Sequence, residues 1–109
     1  HLYLIERDNL SGDAARLKAL TRVALADLQP APLGGALPVV EKQILRDLIP
    51  DLTATGGFVP DKVEGLAITA DGMAHIVTDN DGTDDSSGET MFFAVPLTEG
   101  PSRAAALGN

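Results

Sequence analysis

The sequence predicts a mainly β fold assembled from repeated strand units. Three observations carry this: a tight-turn pair between two apolar runs, a strand with an acidic tip that occurs near both ends of the chain, and long connections rich in Pro and Gly. Asp71-Gly72 is the turn pair, and Asp-Gly between strand-like runs is among the strongest short hairpin signals because both residues tolerate positive φ.

Taken in order, residues 2–8 (LYLIERD) read as a strand with an acidic end. Residues 16–25 are ambiguous by period. Leu17, Leu20, Ala24 and Leu28 recur at helical spacing behind Ser11 as an N-cap, whereas Leu17, Ala19, Thr21, Val23 and Leu25 alternate as a strand face does. The same ambiguity holds for residues 39–48, where a strand over 40–46 runs into a turn over 47–50. Residues 63–70 and 73–79 form the hairpin, and 91–97 supplies a third strand whose Pro96 places it at an edge or at a strand end. Gly34-Gly35 and Gly56-Gly57 fall in residues 29–38 and 53–60, both expected as connecting loops.

An internal comparison favours strands in the first half. Residues 4–9 (LIERDN) lie on 77–82 (VTDNDG), and, after a shift of one residue, 21–25 lies on 93–97. Such self-similarity marks a repeat architecture. The expected fold is a partial β-propeller of about one and a half four-stranded antiparallel blades. Residues 1–109 then form a single fragment of a larger domain, with a frayed tail over 98–109. The competing reading is a small α+β domain with helices over 14–26 and 39–48.

A chain of 109 residues is the size of one domain. It has one Tyr, three Phe and no Trp, thin for a free-standing β core and in keeping with a missing remainder. His1 abuts a strand with no charged leader before it, so the chain is expected to begin mid-fold. Exposed blade edges are expected to recruit another chain. The formal charge of −8 repels nucleic acid and anionic lipid and attracts cations. Without cysteine there is no disulfide, thiolate nucleophile or thiolate zinc site. No apolar run reaches the length of a membrane span.

The segment Lys62-Val63-Glu64-Gly65-Leu66-Ala67-Ile68, then Asp71-Gly72 and Val77-Thr78-Asp79-Asn80-Asp81, resembles the bacterial phytase-like family described by an esterase-like activity of phytase. Leu4-Ile5-Glu6-Arg7-Asp8-Asn9, Arg22-Val23-Ala24-Leu25 and Leu45-Arg46-Asp47-Leu48 resemble the preceding segments of that family, so the match spans most of residues 2–97. The resemblance implies a propeller-like fold, a secreted or periplasmic setting, and a hydrolase label. It also implies that only the C-terminal part of such a domain is present, with the remaining blades as its partners.

The candidate chemistry is acidic. Glu64 at the head of one strand and Asp79, Asn80 and Asp81 at the end of its neighbour are expected at one rim, where hard oxygen donors suit Ca²⁺ or Mg²⁺. The EF-hand pattern is excluded, since position twelve from Asp79 is Thr90 rather than Glu. A solvated loop capped by Asp and Asn is the plainer alternative. Glu6 and Arg7 are the candidate substrate-binding pair, Arg7 as a bidentate clamp for a small anionic or ester substrate. Local ion pairing at a strand end is the alternative there. No Gly-x-Ser-x-Gly elbow, Arg-His-Gly motif or P-loop occurs, and His75 sits in a strand-like run, so no catalytic residue is assigned. Two functions follow: a metal-dependent phosphoester or ester hydrolase, or a non-catalytic binding or scaffold module with a structural calcium site.

Overall fold

The computed structural model describes residues 1–80 and 90–97; Asp81 and the tail over 98–109 lie outside the described residues. The described chain is mainly β. Strands β1 (Leu2–Arg7), β2 (Lys18–Val23) and β3 (Gln43–Asp47) form one three-stranded antiparallel sheet, and β4 (Val63–Ile68), β5 (Met73–Thr78) and β6 (Phe92–Pro96) form a second. Both follow chain order, and each has three strands where blades of four are expected. Helices over 14–26 and 39–48 are not formed: β2 and β3 occupy those segments.

The hairpin between β4 and β5 uses a different turn from the two-residue one that Asp-Gly suggests. The Gly72 amide donates to the Thr69 carbonyl at 3.0 Å and the Thr69 amide to Met73 at 3.0 Å, leaving a three-residue loop with Gly72 at φ 83°. This is a turn closed by a left-handed Gly, the usual three-residue hairpin. The Asp71 carboxylate accepts from the Met73 amide and the Thr69 hydroxyl.

A helix, α1 (Ile49–Gly56), stands where turn and loop are expected. Its signals are local. Asp47 accepts from the Ile49 amide at 3.1 Å, Pro50 lies in the first turn where its missing N–H costs nothing, and Gly57 closes the helix at φ 74° by donating to Thr53 at 2.8 Å. Leu48 and Leu52 are thereby fully buried.

Antiparallel partners share a face. Ile5 and Leu20 of the first sheet therefore face Val63, Ala74, Ile76 and Val95 of the second, with Leu48, Leu52 and Val59 completing the core. At its edge, Arg46 of β3 forms a buried bidentate pair with Asp51 of α1 (Nε to Oδ2 2.8 Å, Nη2 to Oδ1 2.7 Å) and donates to the Pro96 carbonyl of β6 at 3.2 Å. The outer face of the first sheet carries the row Leu4, Thr21 and Ile44, and that of the second the row Gly65, Val77 and Phe92. Ile44 and Phe92 are 70% and 71% exposed.

The register also corrects the internal comparison. One offset of 72 residues carries the pair Ile5–Leu20 onto Val77–Phe92, so β1 and β2 map onto β5 and β6 without the one-residue shift. Asp8 then corresponds to Asn80, Ile5 to Val77 and Val23 to Val95.

Candidate functional site

The end of β1, the start of β2 and the approach to β4 meet at the seam between the two sheets. Arg7 donates from Nη2 to Glu64 Oε1 at 2.9 Å, and from Nη1 to Asp61 Oδ1 at 3.1 Å and to the Asp8 carbonyl at 3.3 Å. Lys18 is fully buried, and its three ammonium donors are matched: Asp8 Oδ1 at 2.9 Å, the Asp8 carbonyl at 3.0 Å and the Asp61 carbonyl at 2.7 Å. Lys62 pairs with Asp61 Oδ2 at 3.1 Å. Three cations thus surround Asp61 in a chain that is acidic overall.

Glu64 reaches Arg7 because of a β-bulge. In the β4–β5 ladder Val63 opposes Thr78 and Gly65 opposes Val77, so Glu64 is the extra residue and its side chain is re-aimed. Gly65 allows this close approach: a Cβ there would lie 2.1 Å from Val77 Cγ1. The Glu-Gly pair is thus one device, a turned-out carboxylate followed by a residue that lets the strands meet.

Asp8 organises the opposite side. Burial opposes its ionisation, but the Lys18 ammonium and the amides of Arg16 (2.7 Å), Leu17 (2.9 Å) and Leu10 (3.3 Å) outweigh it and hold the carboxyl well below the usual carboxylate range. Glu6 does not join Arg7. Neighbouring strand residues point to opposite faces, and Glu6 pairs with Lys42 on the outer face, an ammonium bond that lowers its pKa.

Glu64 and Asp79 do arrive at one rim, since Val63 opposes Thr78 and the Asp79 amide donates to the Lys62 carbonyl at 2.7 Å. Asn80 follows, and Asp81 lies outside the described residues. Among the described residues no three His, Asp or Glu side chains are grouped to hold a metal ion. The residues brought together are Arg7 and Glu64, placed separately by sequence in a substrate clamp and a metal site. Asp61, Lys18, Arg46 and Asp51 were not singled out by sequence. Among the described residues no helix is long and apolar enough to cross a membrane.

A family model described as phytase-like, esterase-like activity of phytase, matches residues 1–82. No curated protein and no solved structure matches the chain.

Proposed function

Because this chain belongs to the phytase-like family, we propose that it is the C-terminal part of a secreted or periplasmic propeller domain that hydrolyses phosphoesters or other esters. The two sheets are two incomplete blades on this reading, and the offset of 72 residues supports it: β1 and β2 repeat as β5 and β6, so each sheet is one strand short of four.

The observation that carries the functional part is the guanidinium of Arg7 at the seam. It is partly exposed, backed by Lys18 and Lys62, and, among the described residues, held by two carboxylates and a carbonyl. A phosphate or carboxylate group of a substrate exchanges for Glu64, which accepts from Nη2 through Oε1 alone, and such an anion is the natural partner of a guanidinium. Glu64 then turns outward, while Lys18, with no exposed surface, keeps β2 against the Asp61 carbonyl and fixes the floor. The catalytic residues belong to the remaining blades. A cation held by Glu64, Asp79 and Asn80 requires Asp81 or a group from another blade.

The second reading is a binding or scaffold propeller. It is favoured by the pairing of Arg7 and Lys18, each tied to the neighbouring sheet, as expected of a structural seam. The test is phosphate release from phytate and simple phosphoesters by the longer protein, with calcium and with excess chelator. Release that falls on Arg7→Lys while the melting temperature holds supports the hydrolase. Absence of release under every condition, with a melting temperature lowered by Arg7→Lys, supports the scaffold.

A further inference from the structure

The connection between β2 and β3 makes one short 3-10 turn, Leu25–Asp27, and from Leu28 to Lys42 it has no helix or strand of its own. Loops of that length without secondary structure are uncommon and usually functional. Residues 28–40 (LQPAPLGGALPVV) hold no charged side chain. They are nevertheless turned to solvent: every residue over 32–39 is exposed, Leu33 fully and Leu37 at 82%. From Pro30 to Glu41 one backbone hydrogen bond ties the loop among the described residues, from the Gly35 amide to the Pro32 carbonyl at 2.9 Å. It closes a turn with Leu33 and Gly34 at its centre, Gly34 at φ 80°. Ile44 and Phe92 are exposed too, but their backbones lie in the β2–β3 and β5–β6 ladders.

Such a loop tip is the kind of segment that endopeptidases cut, and the sequence selects the bond. No Lys or Arg occurs between Arg22 and Lys42, so an enzyme that requires a basic residue finds no site there. The bond after Leu37 leads into Pro38, which has no N–H. Leu28 is held back, its amide donating to the Leu25 carbonyl and the Gln29 amide to the Asp27 carbonyl, both at 3.1 Å. Val39 is β-branched and stiff. The bond between Leu33 and Gly34 remains.

We propose that the Leu33–Gly34 bond is a processing site for an endopeptidase with an apolar pocket for the residue before the cut. Water is the co-reactant. The amide C–N bond breaks, the water oxygen joins the Leu33 carbonyl carbon to leave a carboxylate, and the Gly34 nitrogen takes up the protons as an ammonium. Neither piece is released, because residues 1–33 stay bound through the β2–β3 ladder and through Ile5 and Leu20 in the core. The Leu48 amide on the Lys18 carbonyl (2.7 Å), the Gly12 amide on the Val59 carbonyl (2.8 Å) and the Lys18 ammonium on the Asp61 carbonyl (2.7 Å) add to this hold. The product is a two-chain form of the same fold, and the inference stands independently of any hydrolytic activity.

The experiment is limited digestion by chymotrypsin of the folded protein that carries this chain, read by intact mass and N-terminal sequencing. The first cut within residues 1–97 is expected to create a chain that begins at Gly34, and the nicked protein to run as one species on size exclusion until denaturant is added. Because the loop opens without unfolding, the cutting rate is expected to stay flat in low urea once the protease's own response on a peptide is subtracted. Leu33→Asp, at a fully exposed position where circular dichroism should report an unchanged fold, is expected to lose the fragment. A first cut elsewhere in residues 1–97, a rate that climbs with urea, undiminished cutting of Leu33→Asp, or pieces that part without denaturant overturns the proposal. So does an uncut bond, the result expected if the rest of a longer chain covers the loop.

Discussion

Arg7 on β1 and Glu64 on β4 lie 57 positions apart in the chain and are joined by a 2.9 Å hydrogen bond across the two sheets. Within the Glu-Arg-Asp run at the end of β1, Arg7 therefore pairs across to the second sheet, whereas Glu6 pairs with Lys42 and Asp8 with Lys18 on the side of the first.

Replacing Arg7 by Ala leaves Asp61 and Glu64 without this partner. Because all three side chains are partly exposed, with Glu64 at 43%, the expected loss is only about 1 kcal/mol. Urea denaturation in low and high salt checks this: the difference between the two proteins should shrink as salt screens the pairs.

Asp51→Ala removes the carboxylate that balances the buried Arg46 guanidinium and is expected to cost about 3–5 kcal/mol. The double replacement Arg46→Met with Asp51→Leu removes both charges and should recover most of that loss. Equilibrium unfolding of both variants is the measurement, and equal destabilisation would mean that the pair itself, and not the unbalanced charge, matters.

Gly65→Ala drives a methyl into Val77. Val is stiff at χ1, so the strand shifts at an expected cost of about 1–3 kcal/mol. Adding Val77→Ala makes room. A double-mutant cycle by thermal denaturation should show a coupling of opposite sign to the single loss.

The depressed pKa of Asp8 makes stability pH-dependent. Its unfolded carboxyl titrates near about pH 3.9 and the folded one lower, so between these values the unfolded chain binds the extra proton and stability rises with pH. The contribution is complete above the unfolded value and is lost as pH falls through the folded one. Melting temperatures measured from neutral pH down into acid should fall below about pH 4, with a weaker fall for Asp8→Asn. Glu6 and Asp71, also lowered, act in the same window from more exposed positions.

The strands were legible because apolar runs, the Asp71-Gly72 turn and the position of Pro96 agree with one another. The helix was not, since Pro50 and Gly56-Gly57 read as loop punctuation although they also mark a first turn and a cap. The bulge hid for another reason. Val63 and Leu66 both face the core although they are three residues apart, so strict two-residue alternation fails at Glu64. Lys18 left no signal, because lysine is ordinarily an exposed residue and its burial depends on carbonyls brought by the fold. Asp61 was overlooked as part of a connection, although the acid precedes Lys62 and the strand whose Glu64 was noticed. What sequence could not supply was the pairing of Arg7 with Glu64, which depends on the approach of two separately formed sheets.

The distance between these partners along the chain also bears on synthesis. The first sheet is complete at Asp47, whereas Asp61 and Glu64 are made only afterwards. At about 5–20 residues per second, a nascent chain carries Arg7 and Lys18 without their inter-sheet partners for roughly one to a few seconds. During that interval Arg7 lacks Asp61 and Glu64, and Ile5 and Leu20 lack the second sheet that packs on them.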